Sequence, residues 1–177
     1  YAMRDVTATV DTMDLIAASI LSKKLAAGPQ SLLLDVKTGS GAFMKDLADS
    51  RALGRLMSEI CKHSGRRVEV AITNMDQPLG VTAGNANEIV ESIAILRGGG
   101  PADLRELTVD FGARMLAMAG VAKDRAAGRS EIERRIADGS GLDRFRRNIE
   151  LQGGDPRVVD DTSLLPSARH KADFAAQ

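Results

Sequence analysis

The chain has 177 residues, 44% of them hydrophobic and 27% charged, enough for one sizeable core or for part of a larger protein. Its 24 Lys and Arg balance 24 Asp and Glu, and aromatic residues make up only 3%, so the basic footprint and stacking platforms of a nucleic-acid binder are missing. A lone cysteine, Cys61, rules out an internal disulfide framework and fits a reducing, cytoplasmic compartment, and no apolar run reaches membrane-spanning length.

The first residues lack the charged-then-apolar pattern of a signal peptide. Residues 5–10, DVTATV, are short and β-branched, which predicts an extended entry segment. Asp11 and Asp14 form an acidic helix start, and good helix formers follow from Thr12 to Ala26 until Gly28-Pro29 stops them. SLLLDVK, residues 31–37, is a continuous apolar run, the pattern of a strand buried on both faces of a parallel sheet. The glycine loop TGSGAF comes next. Residues 46–64 predict a helix carrying Leu47, Ala48, Leu53, Leu56, Met57 and Ile60, closed by Gly65. RVEVAIT, residues 67–73, alternates as a second strand and leads into the loop NMDQPLG. Helix, strand, helix, strand with short loops argues a parallel βα-type sheet.

Further helices are predicted from Asn85 to Leu96, Ala102 to Ala119, Lys123 to Ala137 and Gly141 to Leu151. The second of these carries Leu104, Leu107, Phe111, Met115 and Met118 along one side, and its methionines read as core filler. DPRVVDDTSLLP reads as a polar, proline-bounded exit connector. Two strands are too few to shelter this many helices. With a first residue, Tyr1, set in ordered-looking sequence, the chain is expected to be a piece of a longer protein.

Three polar groups interrupt the apolar opening. Ser19 and Lys23 lie four residues apart, about 6 Å of rise on one side of a helix, and Ile16 and Ile20 share that side. Such a face serves either as a pocket wall, its polar groups meeting a ring edge, or as a solvated helix end with lysines complementing the dipole. Arg4 adds a rigid cationic fork suited to an acceptor-bearing edge or a developing anion. Gly39-Ser40-Gly41 either offers backbone N–H groups to an anion or forms a tight turn, and Phe43 is either part of that site or a core anchor. His63 and His170 have no metal-ligand spacing and read as surface residues, and Cys61 reads as core rather than nucleophile. PLGVTAGNANEIVE joins a carbonyl-rich loop to a helix bearing Glu88 and Glu91, oxygens that a hard cation uses or that simply face water.

YAMRDVTATVD, ASILSKK, DVKTGSGAF and MDQPLG…AGNANEIVE, in this order and at these separations, resemble the thymidine phosphorylase and pyrimidine-nucleoside phosphorylase family from Tyr1 to about Leu165. The resemblance implies an α/β fold. It comprises part of a mixed or parallel sheet domain flanked by helices, plus the last helix of a small all-helical domain. Residues 1–28 would end the helical domain and cross over, 29–165 would form the partial central α/β domain, and 166–177 would lead toward a further domain. By the same resemblance Arg4, Ser19 and Lys23 bind the polar edge of a pyrimidine base, Arg4 and Lys23 also acting catalytically, while Tyr1, Ile16 and Phe43 line it. The carbonyls of Leu79 and Thr82 and the carboxylate of Glu91 fall where potassium-binding members hold their ion, although the family usually has a small residue such as Ala in place of Thr82. The implied reaction is reversible phosphorolysis of thymidine and/or uridine, phosphate being co-substrate, with no organic cofactor. The implied assembly is a homodimer, with neither nucleic acid nor membrane as partner. The phosphate half of the site would lie outside these residues, leaving the isolated chain inactive. A non-catalytic ligand-binding or dimerisation module of the same fold is the alternative.

Overall fold

The computed structural model describes residues 2–175, and Tyr1 lies outside them. Among the described residues are seven helices and one two-stranded sheet: α1 (Ala2–Val6), α2 (Met13–Ala27), β1 (Ser31–Thr38), α3 (Leu47–His63), β2 (Arg67–Asn74), α4 (Asn85–Leu96), α5 (Ala102–Met118), α6 (Arg125–Ala137) and α7 (Ser140–Leu151). They fall into two compact units, Tyr1–Leu79 with Asp110–Arg129, and Gly80–Val109 with Ser130–Gln177. The predicted helices from α2 to α7 and both strands are present, and the sheet is parallel as expected, Ser31 opposite Arg67 through Thr38 opposite Asn74.

In the first unit α3 shows most plainly how sequence becomes structure. Asp46 caps it by accepting the Asp49 N–H at 2.9 Å. Its buried residues Ser50, Leu53, Gly54, Met57 and Cys61 recur at helical spacing, so one stripe faces inward. That stripe packs on Leu32, Leu34 and Val36 of β1, with Ile16, Ala17 and Leu21 of α2 completing the core. A methyl group on Gly54 would stand 2.9 Å from a Val70 methyl, so the missing side chain is what lets α3 approach β2. The burial of Cys61 pushes its thiol pKa up, which agrees with a core role.

Three expectations fail in this unit, each for a local reason. Residues 5–10 are not extended. They finish α1 and turn, because the Thr7 hydroxyl donates to the Met3 carbonyl (2.8 Å) and the Arg4 guanidinium gathers the carbonyls of Thr9 and Val10. Strand β1 is buried on one face rather than two: Asp35 is exposed on the other, where it accepts the Thr73 hydroxyl (2.6 Å) and pairs with Lys37 (2.7 Å). In the part of α5 that belongs here the buried residues are Gly112 and Ala113, whereas Met115 is exposed. Small residues win because α6 comes close: a methyl on Gly128 would lie 2.6 Å from the Ala113 carbonyl oxygen. Asp110 binds Arg114 (2.8 Å) and Arg125 beside that crossing.

In the second unit Ile93 and Ile95 of α4 are buried, as is Val109. The predicted polar connector is better ordered than its composition implies. Asp155 caps a 3₁₀ turn, Pro156–Val159, that buries Val158 and Val159, and a second turn spans Thr162–Leu164. Arg97 donates to the Val159 carbonyl (2.6 Å), and Arg146 grips Asp160 with both arms (2.6 and 2.8 Å).

Candidate functional site

Helix α2 carries most of the predicted site. Ile16 is buried in the core, and about two turns on Lys23 donates to the Ser19 carbonyl with its Nζ 3.3 Å from the Ser19 hydroxyl. The spacing therefore pairs these two polar groups, as the sequence predicts. Arg4 is held apart from them on the α1–α2 turn, where Nε donates to Thr9 (3.4 Å) and Nη2 to Val10, both neutral carbonyl partners.

Phe43 is no core anchor, since it is 63% exposed. It meets Ile16 at a mainly apolar pocket of about 160 Å³, lined also by Ile20, Val36 and Met44, with Asp35 and Lys37 at its wall. Arg4, Ser19 and Lys23 are not among the residues that line it. Thus the structure gathers the two apolar members in one cavity, couples Ser19 to Lys23, and anchors Arg4 separately.

The glycine loop that delivers Phe43 resolves the choice between anion nest and tight turn. Gly39 N–H donates to Met44 (3.1 Å), Ser40 N–H to the Asp76 carboxylate (2.8 Å), Gly41 N–H to Met75 (2.9 Å) and Ala42 N–H to Gly39 (3.0 Å). Its donors are spent on the protein, so it is a turn, latched to the segment after β2.

Sequence reasoning missed a second cavity. On the Phe43 side of the loop an open cleft of about 370 Å³ is lined by Asp11, Gly41, Ala42, Phe43 and Lys45. Asp11 reads only as a helix-start residue, and nothing in the sequence singles out Lys45. Nothing in their separation along the chain announces that they meet around an aromatic ring.

In the second unit the loop Gly80–Thr82 closes round Glu91. That carboxylate is buried and accepts the Val81 N–H at 2.8 Å. Gly80 has φ +75°, and a methyl group there would stand 2.5 Å from Glu91 Oε2, so glycine is required twice over. The Gly80 N–H donates to Asp103 (3.0 Å), and this bond, with a second from Leu104, lowers the Asp103 pKa. The Thr82 hydroxyl is buried and has no hydrogen-bond partner among the described residues. Glu88, the other glutamate of the motif, accepts the Gly84 N–H and so caps its own helix. Leu79 ends the first unit and is 41% exposed. His63 and His170 are on the surface, and no helix among the described residues is long and apolar enough to cross a membrane.

Residues 1–142 match the family described as glycosyl transferase family, a/b domain. Over all 177 residues the chain is 47% identical to the pyrimidine-nucleoside phosphorylase of Geobacillus stearothermophilus, 46% to that of Staphylococcus haemolyticus and 44% to that of Bacillus subtilis. It spans 41% of the length of each of these relatives. The phosphorylase resemblance read from its motifs thus holds over the whole of its length, and the chain belongs to the glycosyl transferase family, a/b domain.

Proposed function

We propose that a protein carrying this chain at the length of its relatives catalyses reversible phosphorolysis of pyrimidine nucleosides, with this chain supplying the base-binding half of the site. In that reaction the bond from the sugar C1′ to the base nitrogen breaks, and a phosphate oxygen takes its place on C1′. The departing base carries the bonding electrons away, so negative charge grows on its oxygen-bearing rim. The Arg4 guanidinium and Lys23 ammonium, with the Ser19 hydroxyl beside Lys23, meet that rim, and Ile16 and Phe43 line the ring. Cations that strengthen their hold as charge develops lower the barrier rather than merely bind. Because the partners of Arg4 are neutral carbonyls, no carboxylate contact has to be broken before the fork meets a base.

The observation that carries this reading is the pairing of Ser19 with Lys23 on a helix whose Ile16 opens onto the apolar pocket shared with Phe43. The second unit supports the accompanying cation. A buried carboxylate and an orphaned buried hydroxyl are hard oxygen donors, and within this unit they fit a monovalent ion such as potassium held by Glu91 and Thr82. Such an ion would neutralise Glu91. Exposed Met3 (78%) and Val6 (83%) on α1 are apolar surface of the kind a homodimer buries.

The test is phosphate-dependent release of thymine from thymidine and of uracil from uridine by the relatives-length protein. Lys23→Ala should lower kcat/KM about 10²-fold with an unchanged melting temperature, as for loss of one transition-state donor. A fully active variant refutes the role of Lys23. Base binding with no phosphate-dependent release refutes the reaction and leaves a ligand-binding module.

A further inference from the structure

Helix α3 carries a polar stripe beside its buried one. Arg51, Arg55 and Ser58 follow at intervals of four and three residues, so they share one face over about 10 Å of helix. With Gly54 of the same helix and Val70 and Ile72 of β2 they line a groove of about 280 Å³. Its two sides differ in chemistry. Gly54 has only a hydrogen where a larger residue would fill the space next to Val70, so the aliphatic side chains of the strand stay open to the groove. The helix side presents two exposed guanidiniums and the half-buried Ser58 hydroxyl.

All three polar groups are unspent. The side chains of Arg51, Arg55 and Ser58 make no hydrogen bond or ion pair among the described residues. Glu59, four residues after Arg55, does not pair with it. Elsewhere Arg114, Arg134 and Arg146 each hold a carboxylate, so unpartnered arginines are not the habit of this chain. Two like charges one helical turn apart repel, and no acidic side chain among the described residues offsets that repulsion. An anion placed between them would.

We propose that this groove binds a phosphomonoester, with its phosphate between Arg51 and Arg55 and its organic body against Val70 and Ile72. A phosphate monoester carries nearly two negative charges and three free oxygens, enough to occupy two forks at once. A carboxylate has one charge and two oxygens, and a single arginine matches it. The Ser58 hydroxyl is a third donor, one turn further along, for an oxygen of the ligand. The aliphatic side chooses between an ester and the bare ion. Covering Val70 and Ile72 removes apolar surface from water, a gain that inorganic phosphate does not make. None of these residues is among those proposed for the base or the cation, so the groove stands whether or not the protein performs phosphorolysis.

The experiment is calorimetric titration of the relatives-length protein with phenyl phosphate and with inorganic phosphate, about two pH units above the second phosphate ionisation near 6. Phosphate held elsewhere in the protein also registers, so the quantity read is the binding that the substitutions change. Arg51→Gln and Arg55→Gln should each weaken phenyl phosphate about tenfold or more, the scale of a hydrogen bond between charged groups. The binding they weaken should be tighter for phenyl phosphate than for inorganic phosphate. Arg55→Lys keeps the charge without the fork and should fall between wild type and Arg55→Gln. Melting curves establish that the variants are folded, as expected for exposed side chains. Unaltered phenyl phosphate binding in both glutamine variants overturns the proposal. So does a variant-sensitive site that inorganic phosphate fills as tightly, since the aliphatic side would then play no part. Phosphate-dependent release of uracil from uridine is followed in parallel and should be the same in the variants as in wild type. Absence of release from wild type would discard phosphorolysis and leave the groove standing, whereas release with unaltered phenyl phosphate binding does the reverse.

Discussion

A methyl group added at Gly41 tests how the Phe43 loop is held. Gly41 has no positive φ, so alanine there meets no backbone strain and the effect is one of space alone. The new carbon would stand 2.6 Å from the Met75 carbonyl oxygen, whereas ordinary contact begins near 3.4 Å. That obstacle is backbone, bound by the Gly41 N–H at 2.9 Å, and cannot swing aside as a side chain would. The loop must retreat by about 0.8 Å, which stretches that hydrogen bond beyond useful length. Losing the bond costs about 1 kcal/mol, and the residual crowding about 1–3 kcal/mol. A total near 3 kcal/mol lowers the melting temperature of a chain this size by roughly 6–12 °C. Differential scanning calorimetry of Gly41→Ala measures this, with Gly28→Ala as control. Gly28 has open space around it and only a positive φ of 75°, so about 1–2 kcal/mol of conformational cost is expected there. A Gly41→Ala protein melting within about 1 °C of wild type would refute the reasoning, because the contact would then have relaxed freely.

Cys61 is buried and its thiol pKa is raised by that burial, so a maleimide reagent should label the native chain far more slowly than the urea-unfolded chain; comparable labelling rates would show that its core opens readily. Hydrogen bonds from Arg134 and then Arg135 bring the Glu131 carboxyl from an ordinary 4.5 down to about 2. Its folded pKa is below its unfolded one, so its contribution is whole above about 4.5 and drains away as pH falls through about 2. A carbon-detected NMR titration should find the folded midpoint near the lower value, and a midpoint near 4.5 would mean that the two arginines do not hold it. On the proposed cation reading, potassium should stabilise the protein thermally and Gly80→Ala, by displacing the Glu91 carboxylate, should abolish that effect; an absent potassium effect in wild type, or its full retention in the variant, would count against the reading.

The elements that were legible in the sequence are those whose own residues decide them. The α3 stripe, the Gly28 stop after α2 and the β2 alternation each declare themselves within a dozen residues. Ser19 and Lys23 were legible for the same reason, since helical periodicity alone places them together. What escaped depended on partners elsewhere. The TATV segment has the composition of a strand, but Arg4 and Thr7 bend it by reaching for backbone carbonyls. The buried side of α5 is marked by Gly112 and Ala113 because of the close approach of Gly128, and no hydrophobicity scale ranks glycine above methionine. Within the site, the meeting of Phe43 with Ile16 in one cavity and with Asp11 and Lys45 in another depends on how the glycine loop docks, a long-range outcome that spacing does not encode.

The parallel register leaves a last consequence at the ends of the two strands. Thr38 and Asn74 finish level with each other, so the segments that follow leave the sheet side by side. They are then stitched crosswise: Met75 N–H to Thr38, Gly41 N–H to Met75, Ser40 N–H to Asp76. Three main-chain N–H donors thus rivet the pair together. Residues 75–76 are therefore tied to the turn that carries Phe43 by two main-chain bonds and one through the Asp76 side chain.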